Sequence, residues 1–281
     1  MKKIKAFLLT KSVGLYINFL SYVAPSKAFQ LAYVFFSNPR SGKLQFENLP
    51  EILQKSNQVS HNLNEHHIQT YHWQGNETVI LLMHGWESNS SRWEKLLPLL
   101  LKTGNTIIAV DSPAHGLSSG KEFNVPLYAS FVELVIQKYQ PKHIIGHSMG
   151  GITAIYHQHY YSNPGLEKMV LLGAPSDFSI ILHNYLNLLS LNKRIKKAFY
   201  EYTKERFQIN IDEFSGKDFL KTSKTKGIIF HDTEDTVVLF EEATKLASTW
   251  KSATLISTSG LGHSLHDDAV NQKIVAFLLE A

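Results

Sequence analysis

Six short, largely apolar runs constrain this chain more than any other feature: 78–83, 106–110, 143–145, 169–172, 228–230 and 254–257. Each is too short for a typical helix and does not alternate. That is the pattern of a strand buried on both faces. Between them apolar residues recur at helical spacing: Trp93, Leu96, Leu97 and Leu100; Phe131, Leu134 and Val135; Val270, Ile274, Phe277 and Leu278. Strand and helix in alternation predict an α/β fold with a mostly parallel sheet flanked by helices. Residues 67–73 alternate and predict an antiparallel strand, while 51–60 read equally as a short helix or a strand. Pro98 should kink or shorten the helix that carries it.

In a parallel sheet, ligands collect where the strands end. His84, Asp111, Ser148, Asp235 and His263 each fall just after a predicted strand, so they should share one rim. Ser148 stands out. It occupies the apex of Gly146-His-Ser-Met-Gly150, followed by Gly151, with an apolar run before it and helix-like residues after it. Flanking glycines permit the tight strand-to-helix turn that exposes a serine hydroxyl. A serine is a poor nucleophile at neutral pH. It needs a base to take its proton, a carboxylate to orient that base, and donors for the developing oxyanion.

The rhythm breaks once. Residues 176–226 hold two or three helices where one is expected, with Phe178, Ile181, Leu182, Tyr185 and Leu189 on one face and Ile195, Phe199 and Tyr202 on another. This insertion should fold over the rim. Its apolar residues should face the substrate, pack the insertion on the core, or both.

Composition narrows the classes. Apolar residues make up 43% and charged residues 19% of 281, enough for a sizeable core. Cysteine is absent, which excludes disulfides, a thiol nucleophile and thiolate metal sites. The net charge of +4 is uneven: residues 1–46 carry seven Lys and Arg and no acid, leaving the rest near −3. The body therefore has no nucleic-acid signature. In the leader, Lys11 interrupts the apolar centre a signal peptide needs, and the segment is short of the roughly 20 apolar residues of a membrane span. It reads either as a helix docked on the fold or as a basic, aromatic segment on an anionic membrane. His61, His66, His67 and His72 read as solvent-facing residues of an edge hairpin rather than metal ligands.

Ser148, Asp235 and His263, together with Gly146-His-Ser-Met-Gly150, His84-Gly85, the loop 111–118 and Gly262-His263, give residues 65–281 a resemblance to the α/β-hydrolase superfamily. The resemblance implies an α/β-hydrolase fold with a helical cap. It makes Ser148 the nucleophile, His263 the general base and Asp235 the orienting acid, in preference to the rivals Asp232 and His266. It implies oxyanion donors at the N–H groups of Trp86 and Met149, and structural roles for His84, His147, Asp111 and His115. The division it implies is a basic helical segment at 1–45, a core at 46–175 and 227–281, and a cap at 176–226. The expected reaction is hydrolysis of a carboxylic ester through an acyl-enzyme, on a small ester with an apolar acyl or alcohol group. A lysophospholipase, lipase or thioesterase is the alternative, and a non-enzymatic binding protein a remoter one. No cofactor or metal is implied. A cytoplasmic location is expected, with peripheral contact at the inner face of the membrane through residues 1–37.

Overall fold

The computed structural model describes residues 2–280, with side chains from residue 8 onward. In chain order the elements are α1 (Lys2–Val23), α2 (Pro25–Ser37), α3 (Glu51–Gln54), β1 (Asn57–Leu63), β2 (His66–Trp73), β3 (Asn76–Met83), α4 (Leu97–Leu101), β4 (Asn105–Val110), α5 (Val125–Tyr139), β5 (His143–His147), α6 (Met149–Tyr160), β6 (Lys168–Leu172), α7 (Phe178–Leu189), α8 (Lys193–Phe207), α9 (Gly216–Leu220), β7 (Lys226–Asp232), α10 (Phe240–Thr249), β8 (Ala253–Thr258) and α11 (Asp268–Leu279). They form two compact units. The larger comprises 39–176 and 216–281, and the smaller 1–38 and 177–215.

The larger unit is built on one eight-stranded sheet in the order β1-β2-β4-β3-β5-β6-β7-β8. β1 and β2 pair antiparallel, as do β2 and β4, and every pairing from β4 to β8 is parallel. The apolar runs are unbroken because successive residues feed two cores. Leu81, Met83, Ile144 and Leu171 enter the one covered by α5, α6 and α10. Ile80, Leu82, Ile145 and Leu172 enter the other, with residues of α4 and α11. Asn124 caps α5 through its Oδ1, which accepts from Leu127 N–H at 2.8 Å, and Pro126 sits in the first turn. Pro98 likewise begins α4, which is only five residues long and follows a separate 3₁₀ segment at Ser90–Glu94.

Residues 51–60 hold both readings in turn, a single helical turn and then β1. β1 is a polar edge strand with one side exposed, so it lacks the apolar signature of the interior strands. The histidine hairpin needs a correction. His67 is exposed, but His61 and His72 are buried. Both bond to the Thr70 hydroxyl, at 3.0 and 2.8 Å, and both rings pack edge-on to Tyr139. Burial pushes the His72 pKa down to about 4.

The smaller unit joins two segments far apart in sequence. Leu182, Leu186 and Leu189 of α7 and Ile195 and Phe199 of α8 are buried against Ile17 of α1 and Ala28 and Ala32 of α2. Thus the buried apolar residues of α7 and α8 pack on those of α1 and α2, a pairing the sequence reading did not include. Polar bonds fix the pairing. Lys11 Nζ donates to Leu188 O at 2.9 Å and to Ser190 Oγ at 2.7 Å, and Asn18 bonds Ser190 O and Asn192 N, both at 2.8 Å. Gly14 makes the approach possible, since a Cβ there would lie 1.7 Å from Leu189 O. The remaining piece of the 176–226 stretch belongs elsewhere: α9 packs with α6 and α10 in the larger unit.

Candidate active site

Ser148 stands between β5 and α6 with φ 51° and ψ −118°, a conformation that a residue with a Cβ adopts at a cost of about 1–3 kcal/mol. Close packing enforces it. A Cβ on Gly150 would meet Met83 O at 2.2 Å, and one on Gly151 would meet Ala174 Cβ at 2.6 Å. The Ser148 N–H donates to Leu172 O at 2.8 Å, tying the turn to the neighbouring strand. Its hydroxyl makes no capping bond to the helix it precedes. It lies instead 3.0 Å from His263 Nε2.

His263 occupies a short 3₁₀ turn after β8. Its Nδ1 lies 2.7 Å from Asp235 Oδ2. With Nδ1 donating to the carboxylate, Nε2 is free to accept the serine proton. Asp235 follows β7 and is buried. Burial alone would raise its pKa. Bonds from His231, His263 and the N–H groups of Val238 and Val237 outweigh that and hold it well below the usual carboxylate range. The two N–H bonds reach Oδ1 at 3.0 and 2.8 Å. The structure therefore brings Ser148, His263 and Asp235 into one unbroken hydrogen-bonded chain.

The two rivals lie outside that chain. Asp232 clamps its loop, accepting from Thr258 Oγ1 at 2.7 Å, Leu261 N–H at 3.0 Å and Glu234 N–H at 3.0 Å. His266 is exposed, three residues beyond the histidine that meets Ser148.

The loop after β3 approaches the serine from the other side. A Cβ on Gly85 would lie 2.9 Å from Ser148 Cβ, so only glycine lets the Gly85-Trp86 backbone come this close. The buried network beneath it centres on Asp111. Its Oδ1 accepts from Ser90 N–H and Oγ, and its Oδ2 from Tyr71 OH and Leu117 N–H. His84 Nδ1 donates to Gly85 O at 2.8 Å while its Nε2 accepts from Ser112 N–H at 2.9 Å. His115 Nδ1 faces Pro113 O at 2.8 Å, and its Nε2 accepts from Glu87 N–H at 2.9 Å. In both rings one nitrogen must stay unprotonated. Burial agrees, pushing His84 down to about 3 and His115 down to about 4.

Three contacts found only in the structure brace the site, two at the His263 turn and one at the Asp235 loop. His147 Nε2 donates to His263 O at 2.9 Å, and Arg92 Nη2 donates to Ser264 O at 3.1 Å. His231 Nε2 donates to Val238 O at 2.8 Å and stands 3.4 Å from Asp235 Oδ2. His231 is the penultimate residue of β7, and nothing in its spacing marks it.

Comparison with known proteins agrees with this architecture. A family profile described as the alpha/beta hydrolase fold matches residues 78–204. A serine hydrolase-like protein of Homo sapiens is 32% identical over 153 residues, covering 52% of this chain and 72% of that protein. One of Danio rerio is 33% identical over 151 residues, 46% of this chain and 45% of that protein, so this chain spans less than half of its length. Among solved structures, Est1E from Butyrivibrio proteoclasticus with ferulic acid bound superposes with a TM-score of 0.66 at 16% identity, over 79% of this chain and 98% of that one. The chain belongs to the α/β-hydrolase family.

Proposed function

We propose that this chain is a serine hydrolase that cleaves carboxylic esters through an acyl-enzyme. The observation that carries the reading is the continuous Asp235–His263–Ser148 chain, with contacts of 2.7 and 3.0 Å. Ser148 Oγ attacks the ester carbonyl carbon as its proton passes to His263 Nε2. The imidazolium so formed is stabilised by Asp235, which stays ionised. The N–H of Met149, in the first turn of α6 where a helix leaves its donors without internal partners, and the N–H of Trp86 receive the oxyanion. Collapse of the intermediate breaks the C–O bond, and His263 returns the proton to the leaving alcohol. Water then attacks the acyl-enzyme with His263 again as base, releasing the acid and free Ser148.

A second reading, a lipid ester as substrate, is favoured by the large apolar face that α1 leaves exposed. Hydrolysis of p-nitrophenyl esters of increasing chain length, with and without micelles, tests both. A stoichiometric burst of nitrophenol followed by a slower steady state supports the acyl-enzyme. Rates that rise only above the micellar limit favour the lipid ester. No hydrolysis of any ester, in either form, would remove both readings.

A further inference from the structure

The outer side of α1 has a composition that a protein surface in water seldom shows. Leu8, Leu15, Phe19 and Tyr22 form one row, and Leu9, Tyr16 and Val23 the next, each 57% to 70% exposed. At 100° per residue they span an arc of about 140°. Ser12 is the one polar residue within it. At about 100 Å² apiece the patch approaches 700 Å², beyond the largest apolar patch of a typical monomer. Its opposite side, with Gly14, Ile17 and Ser21, is buried against α7 and α8. Both sides of one helix are therefore apolar, and packing within the smaller unit uses only one.

Charge identifies the occupant. The smaller unit carries eleven Lys and Arg against five Asp and Glu, a net +6, which leaves the larger unit at −2 of the total +4. Lys27, Lys193 and Arg194 of the same unit are exposed, and the Arg194 guanidinium stands 4.5 Å over the Tyr22 ring of the patch. Among the described residues no helix is long and apolar enough to cross a membrane. An apolar, aromatic helix face flanked by cations, on a unit of like charge, matches the interfacial layer of an anionic bilayer. A second copy would bring two +6 units together.

We propose that the exposed face of α1 is a membrane-docking surface, with Leu15, Phe19, Tyr22 and their neighbours entering the acyl boundary and the surrounding lysines and arginines meeting anionic headgroups. Docking requires no turnover, so it stands apart from the ester-hydrolysis reading.

The full chain is sedimented with vesicles of phosphatidylcholine alone and of phosphatidylcholine with one-quarter phosphatidylglycerol. Binding should be at least about tenfold tighter to the anionic vesicles and fall by about tenfold in Leu15→Glu/Phe19→Glu. Both positions face solvent, so the double variant should melt as the parent does. Because the chain has no cysteine, Phe19→Cys carrying a polarity-sensitive dye gives a second readout, a blue shift on anionic vesicles alone. Absence of vesicle binding, equal binding by the double variant, or no dye shift would each overturn the proposal. So would a dimer that the double variant abolishes while neither protein binds vesicles, which would make the face a self-interface.

Discussion

The two units treat apolar surface in opposite ways. In the larger unit the interior strands divide their apolar side chains between two cores. In the smaller unit α1 buries one side and exposes the other. The polar groups differ in parallel. The larger unit buries a histidine-rich hydrogen-bonded network around Ser148, whereas the smaller keeps its many cations at the surface. A buried polar network rigidifies a constellation and sets proton positions. An exposed apolar face flanked by cations is suited to a surface that is not water. The contrast matches the two proposals, ester hydrolysis by the larger unit and membrane docking by the smaller.

Five perturbations sharpen or break that division. The largest effect should come from Ser148→Ala. It should lower ester kcat/KM by about 10⁴-fold or more while shifting the melting temperature by less than about 2 °C, since the hydroxyl's acceptor, His263, is part-exposed. Asp235→Asn should follow, at roughly 10²- to 10⁴-fold, because it loses both the charge and the acceptor that fix the His263 tautomer. Asp232→Asn should cost far less rate, since its carboxylate holds Leu261 and Thr258 and not His263. If Asp232→Asn proved the more damaging, the acid would have to be reassigned.

Acid should then separate the units. His84, His115, His72 and His143 have folded pKa values lowered to about 3, 4, 4 and 4. The unfolded chain binds protons at these sites below about pH 6.5 while the native fold resists them. Their contribution is complete above pH 6.5 and declines as pH falls toward 4. The larger unit should lose at least about 5 °C in melting temperature between pH 6.5 and 4.5. All four of these histidines lie in the larger unit, so hydrogen exchange over this interval should rise in β3–β6 before α7 and α8. An unchanged melt would contradict the buried neutral assignments. The smallest effect is local. Gly14→Ala places a Cβ against Leu189 O, and should speed exchange in α1, α7 and α8 while leaving the sheet unaltered.

The sheet was legible because strands buried on both faces cannot conceal their apolar content. Ser148, Asp235 and His263 were legible for a different reason: each follows a strand whose end is easily placed. β1 was ambiguous because an edge strand needs one covered side only, and its other side, with Gln58, Ser60 and Asn62, is polar. The union of 1–38 with 177–215 could not be read at all. Each segment announces an apolar face, but nothing in the spacing of Ile17 or Leu186 says which faces meet. The same holds for the clamps at His147, Arg92 and His231. Their partners are backbone carbonyls, which carry no sequence signal.

The proposed division of labour rests most heavily on the proposal that Ser148 is the reactive group. The direct measurement is treatment of the intact chain with a fluorophosphonate, followed by mass mapping of the adduct. One adduct on the peptide containing Ser148, absent from Ser148→Ala, is the predicted result. An adduct on another residue, or undiminished labelling of Ser148→Ala, would contradict the account.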